Sequence, residues 1–126
     1  SDYGHHPAEI YATLQMAHEI SREVTLVYQP HQNVRQHEIQ SMYTNEVFRY
    51  ADSVYWLPTY LTRENPDLPI LTPADLTKNL TRPEVHIASL NDDLWKSIML
   101  DRELGKLVLC MGAGTIDEWL RQHLKI

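Results

Sequence analysis

Four short apolar runs, separated by stretches with helical spacing, constrain this chain more than any other feature. The runs cover residues 24–28, 53–57, 84–88 and 106–111. They are rich in β-branched and aromatic residues and nearly continuous rather than alternating, the pattern of strands covered on both faces. Ile10, Leu14, Ala17 and Ile20 repeat at helical spacing from a start near Pro7. Proline suits a first helical turn because its missing N–H has no partner to lose there. Ile39, Met42, Tyr43, Val47 and Tyr50 predict a second helix over 34–51. Pro73 opens a short third helix with Thr72 as its N-cap. A fourth, marked by Leu94, Trp95, Ile98 and Met99, is capped near Asn91 and ends near Gly105. Ile116, Trp119, Leu120 and Leu124 mark the last. The order is α-β-α-β-α-β-α-β-α. Such alternation predicts an α/β fold, a mostly parallel sheet with helices on both faces.

The chain of 126 residues fits one domain, 1–126, with no repeat and no internal boundary. It is 43% hydrophobic and 22% charged, enough for a packed core. The net charge of −6 argues against a general nucleic-acid binder, which needs excess Lys and Arg against phosphate. No apolar run approaches the roughly 20 residues of a membrane span. Cys110 is the single cysteine and makes no internal disulfide, which predicts a reducing, cytoplasmic setting. A chain that opens on a helix, without a methionine, predicts a missing first strand and a fragment of a longer protein.

In a parallel sheet, ligands meet the loops at the carboxyl ends of the strands. Those loops are 29–35, 58–69, 89–92 and 112–115, and the opening segment 2–7 joins the same rim. Asp2-Tyr3-Gly4-His5-His6-Pro7 places two imidazoles, a phenol and a carboxylate around a glycine. It reads as a ligand-facing turn or as a polar helix cap. The remaining histidines lack the spacing of a metal site, so none is predicted. Gln29-Pro30-His31-Gln32-Asn33-Val34-Arg35 leads from a strand into a helix, where the helix N-terminus and Arg35 favour an acidic group. A solvated loop with a surface arginine is the plainer alternative. Arg63 or Glu64 reaches a ligand, or belongs to another solvated loop. Gly112-Ala113-Gly114-Thr115 permits a tight turn but lacks the full dinucleotide fingerprint, and no P-loop stands anywhere in the chain. Cys110 and His86 read as structural strand residues.

Three segments together resemble the C-terminal domain of the Mur ligases, and most closely the branch that joins L-alanine to UDP-N-acetylmuramate. The family's Asp-Asp-Tyr-Gly/Ala-His-His-Pro-Thr-Glu-Ile stands here as Ser1-Asp2-Tyr3-Gly4-His5-His6-Pro7-Ala8-Glu9-Ile10. Its Phe-Gln-Pro-His-Arg-Tyr-Ser-Arg-Thr stands as Tyr28-Gln29-Pro30-His31-Gln32-Asn33-Val34-Arg35-Gln36. Its Gln-Gly-Ala-Gly-Asn/Asp-Ile stands as Met111-Gly112-Ala113-Gly114-Thr115-Ile116. The three span almost the whole chain in the right order.

The resemblance implies a three-domain enzyme of peptidoglycan precursor synthesis. An N-terminal domain holds the UDP-sugar, a central domain holds ATP and Mg2+, and this domain binds the incoming amino acid and closes over both. It implies that ATP activates the muramyl carboxylate as an acyl phosphate and that the alanine amine attacks it. It implies catalytic work for His5, a nucleotide contact for Tyr3 and Asp2, packing or capping for His6, and the amino-acid carboxylate for His31 and Arg35. The isolated piece is expected to be inactive. Two departures stand out. The family's first arginine after Gln-Pro-His is Gln32, which cannot supply a second cation. Its Asp-Val-Tyr reads Pro58-Thr59-Tyr60. Either the amino acid differs from alanine or Arg63 replaces the missing charge. The alternatives are a related ligase acting on another peptide precursor, such as one of peptide recycling, and a non-catalytic α/β binding module.

Overall fold

The four apolar runs become four parallel strands: β1 (Val24–Tyr28), β2 (Ser53–Trp56), β3 (Glu84–Ile87) and β4 (Leu107–Met111). The computed structural model describes residues 6–112 and 114–124. The strand order is β3-β2-β1-β4, so β1 lies between β2 and β4 and the chain crosses the sheet before its last strand. Among the described residues five α-helices flank or connect them: α1 (Pro7–Ile20) before β1, α2 (Asn33–Ile39), α3 (Pro73–Thr77) and α4 (Asp92–Glu103) between successive strands, and α5 (Thr115–Leu124) after β4. This is the α/β architecture that the alternation predicts.

Side chains of a strand alternate between the two faces of a sheet. Leu26 and Tyr28 of β1 pack in one core cluster with Ile10, Leu14, Val54 and Trp56. Val27 packs in the other, with Leu94, Ile98, Ile116 and Trp119. All five residues of β1 are buried, as its apolar run predicts. The edge strands differ from that expectation. In β3, Glu84 and Ile87 are exposed, Ile87 at 60%. In β4 only Met111 is fully buried. An edge strand lacks a neighbour on one side, so a nearly continuous apolar run there is not covered as completely as one in the centre.

The second helix is much shorter than its apolar spacing predicts. It ends at Ile39, passes into a 3-10 turn at Gln40–Met42, and continues as turns through residue 50. The cause is Tyr43, which leaves the helical path in an extended conformation. Its ring lies edge-on to Trp56 at 4.9 Å and its hydroxyl donates to Gln36 Oε1 at 2.6 Å. Phe48 follows it into the same cluster. Tertiary packing of these two rings outweighs a helix-compatible pattern. The other helix starts agree with the sequence. Thr72 and Asp75 form a capping box on α3, and Asn91 accepts from Leu94 N–H on α4.

Candidate functional site

Because the strands are parallel and in register, Tyr28, Trp56, Ile87 and Met111 end together and their loops form one rim. Past Tyr28 the chain stays extended. Gln29 N–H donates to Met111 O at 2.9 Å, Tyr60 N–H to Pro30 O at 2.8 Å, and Gln32 N–H to Tyr60 O at 2.8 Å. His31 and Tyr60 are thereby opposed in an isolated parallel bridge. Their rings stack, with centroids 5.8 Å apart and 21° between the planes. The His31 carbonyl accepts from Gln36 Nε2 at 3.0 Å. Gln36 is buried, and its Oε1 takes the Tyr43 hydroxyl, which is itself 2.9 Å from the Tyr28 hydroxyl. Burial pushes both phenols above the ordinary tyrosine range, so this chain of hydrogen bonds is neutral at physiological pH. It runs from the core to the backbone of His31.

A negative group does occupy the start of α2, and it is Glu64. Its carboxylate accepts from Asn33 N–H at 2.9 Å, Val34 N–H at 3.0 Å and Thr62 N–H at 2.9 Å. Partial burial alone would raise the Glu64 carboxyl. The three N–H groups and the nearby His31 ring outweigh that and hold it below the usual glutamate range. Glu64 is therefore neither a ligand-facing nor a merely solvated side chain. Asn33 is buried beside it, donating to Pro69 O at 3.0 Å and accepting from Leu71 N–H at 2.8 Å. The long loop after β2 is thus laced to the first turn of α2. Arg35 stands on that turn, half exposed, with its Nε 3.6 Å from Glu38 Oε1. Gln32 enters the turn at φ 65° and its Nε2 donates to Thr62 O at 3.2 Å. Arg63 is exposed and lies at φ 54° in the same loop.

The glycine loop closes the rim from the β4 side. Gln29 bridges to it: its Nε2 donates to Thr115 Oγ1 at 2.9 Å, and its Oε1 accepts from Ile116 N–H at 3.2 Å. A Cβ at Gly112 would lie 2.9 Å from Gln29 Cβ and 2.9 Å from Ile116 Cγ2. At Gly114, with φ +85°, a Cβ would lie 2.8 Å from the Tyr60 ring. The glycines allow close approach within the chain, between this loop and the two beside it.

Of the residues singled out from sequence, His31 and Arg35 stand on one turn of this rim, on either side of the start of α2. Asp2, Tyr3 and His5 lie outside the described residues. His6 caps α1, its Nδ1 accepting from Ala8 N–H at 3.1 Å. His86 stacks on Tyr55 at 4.8 Å, at the sheet edge. Cys110 is partly buried, and burial pushes its thiol up to about 11, which keeps it protonated and unreactive. Among the described residues no group of three or more His, Cys, Asp or Glu side chains is arranged to hold a metal ion. No described helix is long and apolar enough to cross a membrane. Sequence reasoning undervalued Glu64 and Tyr60. The sequence offers Glu64 as a ligand-reaching or solvated loop residue and Tyr60 as the tyrosine of the Asp-Val-Tyr match, with no cue to the partners of either.

Relatives of known activity match nearly the whole chain. It is 32% identical over 118 residues to the UDP-N-acetylmuramate–L-alanine ligase of Acidobacterium capsulatum, covering 93% of this chain and 25% of that protein. The same ligase of Novosphingobium aromaticivorans is 34% identical over 121 residues, and that of Roseobacter denitrificans 35% over 124. These alignments cover 94% of this chain and 25% and 26% of the two relatives. The chain is homologous to these ligases. It spans about a quarter of the length of the curated relatives it matches. No family model matches it.

Proposed function

We propose that this chain is the C-terminal, acceptor-binding domain of a cytoplasmic, ATP-dependent ligase that joins L-alanine to UDP-N-acetylmuramate. The observation that carries this reading is the homology along more than nine-tenths of the chain to ligases of that name. The rim geometry supports it. Arg35 offers a forked cation to a carboxylate, and it stands beside His31 on a turn fixed by Glu64 and Gln36. In this reading Arg35 binds the acceptor carboxylate and His31 lines the same pocket. His5 lies near the reacting amine, and Tyr3 and Asp2 face the nucleotide. Closure of the domain brings these groups to the other substrates and excludes water.

ATP and Mg2+ belong, in this proposal, to the remainder of the enzyme. The described residues do not fit a triphosphate cradle. Each of the five helices has a first-turn N–H already bonded to a side chain of this chain: His6, Glu64, Thr72, Asn91 or Gln29. The glycines after β4 are filled around by Gln29, Ile116 and Tyr60. A second reading, a related ligase acting on another peptide precursor, is favoured by Gln32. Its amide is bonded to Thr62 and adds no charge where the Mur ligase pattern has an arginine.

The test uses the full-length gene product and phosphate release from ATP with UDP-N-acetylmuramate. L-Ala, Gly and L-Ser are offered in turn, and Arg35→Ala is the control. Alanine-dependent turnover is expected, with an acceptor KM raised on the order of tenfold or more in the variant. Turnover with none of the three, by a folded protein that binds ATP, would move the assignment to the second reading.

A further inference from the structure

Tyr60 is the residue at which three loops of the rim meet. Its backbone exchanges hydrogen bonds with Pro30 and Gln32, which sets it opposite His31. Its ring stacks on the His31 imidazole at 5.8 Å. The same ring lies so close to Gly114 that a Cβ there would come within 2.8 Å of it. The backbone of His31 is held independently, through Gln36 and the buried tyrosine pair. Those bonds fix where the imidazole is attached, and the direction of its plane is a matter of χ1 and χ2. A ring stacked on the imidazole limits both, and Tyr60 supplies one that is itself backed by the loop after β4.

We propose that Tyr60 is a positioning residue that orients the His31 ring toward the acceptor amino acid and couples it to the glycine loop after β4. The inference rests on the reading of His31 as an acceptor-facing group. It assigns the work to the ring of Tyr60 and not to its hydroxyl. It also gives Gly114 a role: a side chain there would displace Tyr60 and, through it, His31.

The test compares Tyr60→Phe and Tyr60→Leu in the full-length enzyme, alone and with His31→Ala. Tyr60→Phe is expected to leave the acceptor KM within about twofold of wild type. Tyr60→Leu is expected to raise it on the order of tenfold while the KM for ATP stays within about twofold. In the His31→Ala background the leucine change is expected to add less than about twofold, since the group it acts through is gone. An unchanged acceptor KM in Tyr60→Leu, or an equal effect with and without His31, would overturn the proposal. So would a phenylalanine variant as poor as the leucine one. Should Tyr60→Leu fail to fold, Tyr60→His keeps a flat ring. It is then expected near wild type, and a tenfold loss counts against the proposal. The side-chain NMR resonances of His31 give a readout that needs no turnover. They are expected to move in the leucine variant and to hold in the phenylalanine one. A wild-type enzyme without acceptor-dependent turnover would sink the ligase reading, while those resonances would still decide whether Tyr60 positions the ring.

Discussion

Helices α2 and α4 both begin with a side-chain oxygen on their first-turn N–H groups, but the oxygens come from very different distances along the chain. Asn91 caps α4 from its own start, accepting from Leu94 N–H at 3.0 Å, three residues on. Glu64 caps α2 from 31 and 30 residues away, holding Asn33 and Val34, and it holds Thr62 N–H as well. A local cap stabilises a helix wherever that helix is. A remote one makes the helix start conditional on another loop being in place. The turn that carries His31 and Arg35 is therefore tertiary structure, cross-linked through Glu64, Tyr60, Gln36 and Gln29. The cap of α4 comes from its own sequence.

The largest way to break this contrast is Gly114→Ala. The new Cβ would meet the Tyr60 ring at 2.8 Å, and φ +85° disfavours any side chain. A loss of about 2–4 kcal/mol is expected in urea denaturation, from overpacking together with backbone strain. A loss below about 1 kcal/mol would mean that the rim gives way more easily than its contacts suggest.

Glu64→Gln comes next. One amide nitrogen would then face backbone donors in place of a carboxylate oxygen. The expected cost is about 1–2 kcal/mol, at the low end for a charged hydrogen-bonded group because Glu64 is partly exposed. The sign of its pH dependence follows from its lowered value. Stability from a depressed carboxyl is fully present above its unfolded pKa, about 4.3, and is lost as pH falls through the lower folded value. The gap between wild type and Glu64→Gln should therefore be constant near neutrality and close in acid. Urea midpoints at a series of pH values measure it, and a gap that widens in acid would contradict the assignment.

Asn91→Ala should cost less, about 1 kcal/mol, for loss of an ordinary N-cap. Its effect is expected to add to that of Glu64→Gln within about 0.5 kcal/mol, as befits separate sites. It should leave the acceptor KM unchanged, because the hydrogen bonds that hold the His31 turn come from Glu64, Tyr60, Gln36 and Gln29 and not from α4. Coupling between the two variants would show that the two helix starts are not the separate devices they look to be.

The same contrast explains what was legible in the sequence. The strands could be read because burial of a central strand writes a continuous apolar run, and β1 carries it to completion. The starts of α3 and α4 could be read because Thr72, Pro73 and Asn91 act on their own neighbours. The end of α2 could not, since what stops it is the fit of Tyr43 against Trp56 and Tyr28, partners distant in sequence. His31 and Arg35 were visible through the Gln-Pro-His run. The partners of Glu64 and Tyr60 were not, because a carboxylate that binds backbone and a ring that stacks on a histidine have no local signature.

The smallest effect is expected at Arg63, and it bears on which cation meets the acceptor. Arg63 holds φ 54° without a glycine's freedom. Arg63→Gly would relieve about 1 kcal/mol of left-handed strain and return about 0.4–1 kcal/mol to the unfolded chain as entropy. The two nearly cancel, so the urea midpoint should move by no more than about 0.5 kcal/mol in free energy. With stability level, the acceptor KM of this variant can be compared directly with that of Arg35→Ala. Arg35 stands on a turn whose N–H groups are fixed by Glu64, and a fixed base is what holds a guanidinium to one carboxylate geometry. Arg63 sits exposed in the loop outside that clamp. The larger rise in acceptor KM is therefore expected from Arg35→Ala. A rise as large from Arg63→Gly would make Arg63 the cation that replaces the arginine missing at Gln32, and would place the acceptor carboxylate over the loop after β2 instead of over α2.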